Sequence, residues 1–190
     1  MEKITTILNA ARDLFAERGF DQTPVSDIAK KAGVAGGTII YHFKSKENLL
    51  FILIRQILYS LFRRAQDETS ASKTGLEAVE GYIHAFFSFL GSRSSDFKVL
   101  LKTNPFEVIN LKQHPNADVK LIFDRYLGLL VEAIERGQAD GSIGAGQPED
   151  LAKSVFATLF GSGQLVVYFD EDSDLLMDSA LHFARAGLRA

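Results

Sequence analysis

Hydroxyl, imidazole and ammonium side chains are concentrated at residues 38–46 of this 190-residue chain. Thr38, Tyr41 and Lys46 carry groups of the kinds that bind phosphate oxygens. His42 has ring nitrogens that could contact either a phosphate or the edge of a nucleic-acid base. Because phosphate contacts fix the register of a protein on nucleic acid and base contacts fix its specificity, these residues predict a nucleic-acid-binding surface.

Two glycines, Gly36 and Gly37, stand directly before this group. At the start of a helix each glycine costs roughly 1 kcal/mol relative to alanine, and close approach of the backbone to DNA would offset that cost. A simple turn that begins a helix explains the pair equally well. Both interpretations stay open.

Two short helices joined by a turn must position these side chains. Thr23 as N-cap and Pro24 as first helical residue predict the start of one helix, and Gly33 predicts its end. A second helix is predicted at about residues 36–43, and Ser45 is predicted to cap the long helix that follows. These are the dimensions of a helix-turn-helix, whose second helix enters the major groove of DNA.

The charge of the chain is divided unevenly. The net charge is −3, but residues 1–64 hold ten Lys and Arg against six Asp and Glu, a balance of +4, and residues 65–190 therefore carry −7. Such asymmetry favours a basic module that contacts a polyanion, joined to an acidic remainder. Chance unevenness of solvated surface charge is the alternative.

Apolar residues recur at helical spacing along the rest of the chain. A capping box at residues 74–77 starts one helix, residues 117–136 form another that Gly137 ends, Pro148 opens a third, and a last helix spans roughly residues 174–188. We find no strand-like alternation and no internal repeat. The sequence predicts an all-α fold of about nine helices.

Composition excludes several classes of protein. The chain has no Cys, so a disulfide framework, a thiolate zinc site and a Cys nucleophile are excluded. The longest apolar run, Leu49–Ile54, is far short of the roughly 20 residues that a membrane span needs, and the first residues do not form a signal peptide. We expect a cytoplasmic protein without membrane contact. With no P-loop, dinucleotide fingerprint or zincin motif, we expect no enzymatic activity and no cofactor.

The segment from Thr23 to Leu49 reads TPVSDIAKKAGVAGGTIIYHFKSKENL. Together with its flanks, over residues 4–52, it resembles the N-terminal DNA-binding domain of TetR-family transcriptional regulators. The resemblance implies a three-helix DNA-binding domain at residues 1–46 and a larger helical ligand-binding and dimerisation domain at residues 47–190. It also implies a repressor that binds a pseudo-palindromic operator in double-stranded DNA as a homodimer, its two reading heads roughly 34–36 Å apart, and that a small, largely apolar effector releases it.

The DNA contacts predicted in this way are Ser26, Gly36, Gly37, Thr38, Tyr41, His42 and Lys46. Two positions depart from the family pattern: Ala35 replaces the common Ser or Thr, and Ile40 replaces a tyrosine that contacts phosphate. These departures keep open an alternative, a helical interaction module whose helix-turn-helix no longer binds DNA. A helical enzyme is the second alternative.

Phenylalanine is abundant, at 15 residues, and apolar pockets are lined by aromatic side chains with a few polar groups among them. Protein cores are built in the same way. The predicted effector contacts are Tyr82, His84, Phe86, Phe87, Asn104, Phe106, His114, Phe123, Tyr126, Phe156, Phe160 and Tyr168. Glu80 lies one helical turn from His84, but nothing completes a metal-ligand spacing, so we predict no metal site and take the two as a solvated pair. The last two helices are the predicted dimer surface by resemblance, with Gly161 and Gly163 allowing close approach.

Overall fold

A computed structural model of the chain describes residues 2–103 and 118–189. Within these ranges it has nine helices and no strand, which confirms the predicted all-α fold. In chain order they are α1 (Glu2–Arg18), α2 (Val25–Ala32), α3 (Gly36–Phe43), α4 (Lys46–Ala71), α5 (Gly75–Ser92), α6 (Ser94–Thr103), α7 (Asp118–Asp140), α8 (Pro148–Phe169) and α9 (Ser173–Leu188).

Several predicted helix ends are confirmed by their hydrogen bonds. The hydroxyl of Ser45 accepts the backbone N–H of Asn48 at 3.1 Å, which caps α4. At the start of α5, the Thr74 hydroxyl accepts the N–H of Glu77, and the Glu77 carboxylate accepts the N–H of Thr74. Gly33 ends α2 with a left-handed backbone, at φ 65°.

Two predicted helix ends were wrong. Thr23 does not cap α2, because Pro24 occupies the N-cap position and the buried Thr23 hydroxyl instead donates to the carbonyl of Gly19 at 2.7 Å. Gly137 does not end α7, which continues to Asp140. Its lack of a side chain serves packing, since a Cβ added at Gly137 would overlap the side chain of Ile143.

The chain forms two compact units. Unit 1 comprises Met1–Ile57 and Arg93–Lys120, and unit 2 comprises Leu58–Ser92 and Leu121–Ala190. The predicted functional division between residues 46 and 47 stays a prediction.

In unit 1, α6 packs along α1 and is held there by polar contacts at both ends. The carboxylate of Asp96, 3% exposed, pairs with Arg12 Nε at 2.5 Å and with Arg93 Nη1 at 3.1 Å. Near the other end of α6, Lys102 Nζ donates to the carbonyl of Glu17 at 2.8 Å. A buried carboxylate is tolerated here because two guanidinium groups neutralise it.

In unit 2, α5 packs against α8 and α9. Its N-terminus is satisfied by the end of α7, where the Asp140 carboxylate accepts the N–H of Gly75 at 2.8 Å and the Ser142 hydroxyl accepts that of Leu76 at 3.1 Å. Hydrogen bonds from the Ser142 side chain and from the backbone of Gly75 lower the pKa of Asp140. Sequence-distant residues thus supply the partners that the first turn of α5 requires.

No described helix combines the length and the apolar character that crossing a bilayer requires.

Candidate DNA-binding surface and ligand-binding cluster

The helices α2 and α3 pack through a small apolar core. Ile28 of α2 and Ile39 and Phe43 of α3 are each at most 2% exposed. Because Ile39 and Phe43 are four residues apart, they face inward on one side of α3 and leave its other side to solvent. The packing therefore fixes which side of α3 is exposed to solvent.

Most of the predicted DNA contacts lie on accessible surface. Tyr41 is 73% exposed, and Ser26, Gly36, Gly37 and His42 are also exposed, whereas Thr38 and Lys46 are half-buried. Tyr41 and His42 form an edge-to-face pair with ring centroids 5.1 Å apart. Ile40, next to them, is 47% exposed. An apolar side chain in this place suits the methyl group of thymine in the major groove.

The Lys46 ammonium makes contacts that its sequence position did not predict. Its Nζ donates to the carbonyl of Phe20 at 2.9 Å and lies 4.1 Å from the centroid of the Phe20 ring. This braces the start of α4 against the segment that follows α1. Since an ammonium group has three donors, two stay available for phosphate, and the predicted contact of Lys46 with DNA stays a prediction.

Lys44, outside the predicted set of contacts, adds a second ammonium group to this surface. Its Nζ donates to the carbonyl of Tyr41 at 3.1 Å and lies 5.6 Å from the Tyr41 ring. The backbone of Lys44 is left-handed, at φ 68°. The sequence signal for this role is an ammonium group directly after the predicted second helix, of the kind that binds phosphate oxygens.

Five of the predicted effector contacts come together in unit 2. Tyr82 of α5 stacks on Tyr126 of α7 with ring centroids 4.7 Å apart, and Tyr126 meets Phe156 of α8 at 6.3 Å. Phe156 in turn contacts Phe123 at 5.5 Å and Phe160 at 6.0 Å. We call these five residues the aromatic cluster.

The two tyrosines of the aromatic cluster are buried, at 0% and 1% exposure, and apart from the interaction between them no described residue hydrogen-bonds to either hydroxyl. Burial, the neighbouring Tyr126 and a hydrogen bond between the two hydroxyls raise the pKa of Tyr82 well above its ordinary value. Burial likewise raises the pKa of Tyr126. Both phenols are therefore protonated.

The other predicted effector contacts lie outside the aromatic cluster. Phe86 and Phe87 are buried in α5, His84 and Tyr168 are exposed, and Asn104, Phe106 and His114 lie outside the described residues. The Glu80 carboxylate forms a two-pronged ion pair with Arg185 of α9, at 2.8 and 2.9 Å. Over the described ranges, no group of three or more His, Asp or Glu side chains is placed to hold a metal ion.

An apolar face is exposed on α8 and α9. It carries Leu165, Tyr168, Phe169, Leu175 and Phe183, which are 41–73% exposed. A Cβ added at Gly161 would meet no described atom within 4 Å, so the backbone of α8 is open there. We call this surface the α8–α9 face.

The fold and the exposed side of α3 define a helix-turn-helix DNA-binding protein, and comparison with known proteins extends this assignment. Residues 7–52 match the family model of bacterial regulatory proteins of the tetR family. The fatty acid metabolism regulator protein of Bacillus subtilis is 30% identical over 98% of this chain and 95% of its own length. The transcriptional repressor KstR2 of Mycolicibacterium smegmatis is 31% identical over 72% of this chain and 65% of its own length.

Among solved structures, the regulator FadR of Bacillus subtilis in complex with stearoyl-CoA matches with a TM-score of 0.84 and 28% identity, over 96% of this chain and 98% of that chain. The chain belongs to the TetR family. It is a ligand-responsive DNA-binding transcriptional repressor, and the relatives it matches are transcriptional regulators.

Proposed function

We propose that this chain represses transcription in the cytoplasm as a two-fold dimer on a pseudo-palindromic operator, and that a long-chain acyl thioester releases it from DNA. The observation that carries the proposal is the full-length similarity to a fatty acid metabolism regulator, together with the fold match to a FadR that binds stearoyl-CoA. The exposed polar side of α3 supplies the DNA-binding surface, and unit 2 supplies the ligand-binding body.

The aromatic cluster supports an effector with a long apolar chain. The ring of Phe156 contacts those of Phe123 and Phe160, and all three side chains are only half-buried. Apolar surface is therefore left that a ligand can cover. Covering such surface stabilises a complex by roughly 25 cal/mol per Å² before binding costs are subtracted. An acyl chain offers long, unbranched apolar area for this purpose.

Stearoyl-CoA is the probe for this part of the proposal. We expect it to bind the purified protein in a calorimetric titration and to release it from DNA at micromolar concentration, with coenzyme A alone as the matched control. If stearoyl-CoA neither binds nor releases the protein, the proposed effector class is overturned.

The α8–α9 face supports a second copy of the chain as its partner. Of the ten large apolar side chains that are exposed among the described residues, five belong to this face. Exposed apolar side chains gathered on two helices that pack together are characteristic of an interface. In a two-fold dimer the same patch meets itself, and the open backbone at Gly161 allows close helix approach.

Sedimentation of charged variants tests the dimer. Phe183, 73% exposed, lies on the α8–α9 face, and Tyr59, 55% exposed, lies on α4. We expect Phe183→Glu to be monomeric at about 10 μM, the concentration at which a dimer with a micromolar dissociation constant is still populated, while the control Tyr59→Glu sediments as the wild-type dimer. A monomeric wild-type protein would overturn this part of the proposal.

DNA binding is tested by titrating duplexes selected from a random-sequence pool at two salt concentrations. Affinity should fall steeply with salt, with a log–log slope of about −0.9 per phosphate contacted. Lys46→Ala should weaken binding to all selected sequences and reduce the slope by about one contact, whereas His42→Ala should alter sequence preference. Lys153→Ala, which removes an exposed ammonium group on α8, is the control. Absence of salt-dependent DNA binding would favour the alternative of a helical interaction module.

A further inference from the structure

The first half of α3 presents an apolar surface to solvent. Ile40 is 47% exposed, and Gly36 and Gly37 lie four and three residues before it, so the three positions share one side of the helix. Among the first five residues of α3, only the half-buried Thr38 has a side chain that can form a hydrogen bond. This part of the helix therefore offers apolar contact rather than donors and acceptors.

The fold itself does not require glycine at positions 36 and 37. Neither residue has a positive φ, and a Cβ added at either would meet no described atom within 4 Å. Glycine also weakens a helix relative to alanine. The missing side chains allow this side of α3 to approach a surface outside the chain closely. The glycine pair is therefore better explained by approach to DNA than by a turn.

The hydrogen-bonding side chains of this surface gather at the other end of α3. Tyr41 and His42 lie in its last turn, and Lys44 follows the helix with its ammonium group 5.6 Å from the Tyr41 ring. Groups of these kinds bind phosphate oxygens and fix the register of a protein on DNA. The N-terminal residues of a recognition helix contact the base edges. The first half of α3 therefore meets the bases with its apolar surface.

One group on the base edges of the major groove matches an isoleucine side chain. Thymine carries a C5 methyl group there, whereas the other bases are distinguished by their donors and acceptors. Contact between Ile40 and this methyl group removes apolar surface of both from water, which is favourable. Because isoleucine is β-branched, Ile40 has one strongly preferred rotamer in a helix and loses little freedom on binding.

We propose that Ile40 determines part of the operator sequence by covering the methyl group of a thymine in the major groove, and that Gly36 and Gly37 allow α3 to approach closely enough for this contact. This inference rests on the DNA binding of α3 in the proposed function, and it names the chemical group that α3 reads. It also predicts that 5-methylcytosine, which carries the same methyl group, replaces this thymine better than cytosine does.

The first test changes the DNA by one methyl group. In a duplex selected by the wild type from a random-sequence pool, each thymine is replaced in turn by deoxyuridine, which keeps the base pair. At one thymine or more, wild-type binding should weaken about 4-fold, the effect of one buried methyl group. Ile40→Ala should bind the unmodified duplex more weakly and should not respond to that replacement. Leu121→Ala, at an aliphatic side chain 48% exposed on α7, is the control and should respond as the wild type does.

The second test separates the methyl group from hydrogen bonding. The same T·A pair is replaced by a pair of guanine with cytosine or with 5-methylcytosine, so that these two duplexes differ only in the methyl group. The wild type should bind the 5-methylcytosine duplex about 4-fold more tightly, and Ile40→Ala should bind the two equally. Equal wild-type affinity for the two duplexes would overturn readout of the methyl group.

The third test concerns the close approach of α3. Gly37→Ala should not lower the unfolding temperature, because alanine favours a helix and its Cβ meets no described atom. The added methyl group should nevertheless weaken DNA binding by at least about 5-fold, because it fills space that the bases occupy. Gly91→Ala, at an exposed glycine of α5 that is equally open, is the matched control and should leave DNA binding unchanged. Unchanged DNA affinity of Gly37→Ala would overturn the close approach.

The outcomes separate this inference from the proposed function. If the wild type binds selected DNA with a steep salt dependence, but no thymine shows a deoxyuridine effect that Ile40→Ala abolishes, the role of Ile40 is overturned and DNA binding by α3 stands. If no duplex binds in a salt-dependent manner, both this inference and the proposed DNA-binding function are overturned.

Discussion

The buried polar side chains of the two units differ in their hydrogen-bond partners. In unit 1 the Asp96 carboxylate pairs with two arginines, and the buried hydroxyls of Thr23 and Thr103 donate to the carbonyls of Gly19 and Val99. In unit 2 the hydroxyls of Tyr82 and Tyr126 are equally buried and, apart from each other, have no described partner. The difference is confined to this pair, because the buried hydroxyls of Thr69 and Ser162 in unit 2 also donate to backbone carbonyls.

The difference agrees with the function of each part. A DNA-reading body must hold α3 in one orientation, and satisfied buried polar groups help to specify one arrangement. A ligand-binding body gains affinity from groups whose hydrogen bonds form only when the ligand arrives, and its unliganded state is less stable for that reason. An unsatisfied buried hydroxyl costs about 1–3 kcal/mol.

The largest effect on stability is expected from breaking the buried ion pairs of Asp96 in unit 1. Asp96→Ala leaves Arg12 and Arg93 without their common carboxylate. Removing one partner of a buried pair costs about 3–5 kcal/mol, but these arginine side chains are 24% and 46% exposed and can turn to water, so we expect a loss of about 2–3 kcal/mol in the free energy of unfolding. Urea denaturation at fixed protein concentration measures it.

The exposed ion pair between Asp13 and Lys31 is the control for this prediction. Its nitrogen–oxygen distance is 2.9 Å, but the two side chains are 51% and 41% exposed. Because exposed pairs contribute about 0–1 kcal/mol, Asp13→Ala should cost less than about 1 kcal/mol. Equal losses for Asp96→Ala and Asp13→Ala would contradict the view that α6 is fixed to α1 by a buried charge.

A hydroxyl deletion in each unit should have opposite consequences. Thr23→Val removes a hydroxyl that donates to the Gly19 carbonyl at 2.7 Å, and we expect it to lower the free energy of unfolding by about 1 kcal/mol. Tyr126→Phe removes a hydroxyl that interacts with no described residue other than Tyr82 and should leave stability unchanged or raise it by up to about 1 kcal/mol. Thermal unfolding of the unliganded variants measures both. A loss at both sites would mean that the Tyr126 hydroxyl is already satisfied.

The helical fold could be predicted because local signals agree along the chain. The capping hydroxyls of Ser45 and Thr74 act as predicted. Prediction failed at two helix ends, in one case because of a local hydrogen bond and in the other because of packing between distant segments. Thr23 is a residue type that commonly caps helices, but its hydroxyl donates to the carbonyl of Gly19. Gly137 is a residue type that commonly ends helices, but here it is the point where α5 approaches α7.

The DNA-binding surface and the aromatic cluster were also predictable from local sequence signals, and not beyond them. Residue types and spacing identified the exposed side of α3 and five residues that meet in the aromatic cluster. Neither the contact of Lys46 with Phe20 nor the pairing of Asp96 with Arg12 could be predicted, because their partners are 26 and 84 positions away. Long-range contacts of this kind leave no periodic signal in a single sequence.

The smallest effect on stability is expected from the ion pair between Glu80 of α5 and Arg185 of α9 in unit 2. The hydrogen bonds from Arg185 lower the pKa of the Glu80 carboxyl in the folded protein. A carboxyl whose pKa is lower in the folded state stabilises the protein above its unfolded pKa, and this contribution is lost as the pH falls through the folded pKa. Glu80→Gln should therefore lower the free energy of unfolding by about 1 kcal/mol at pH 7 and by progressively less as the pH falls through the folded pKa of Glu80.

Unfolding of Glu80→Gln and the wild type across pH 3–7, roughly the range over which carboxyl groups titrate, measures the difference. Asp150→Asn, at a carboxylate 75% exposed beside Lys153, is the control and should differ little from the wild type at any pH. A pH-independent difference for Glu80→Gln would mean that packing, not charge, joins α5 to α9 at this point. The predicted pH dependence would instead show that unit 2 pairs its polar groups where α5 meets α9, so that the tyrosines that interact only with each other are a local property of the aromatic cluster.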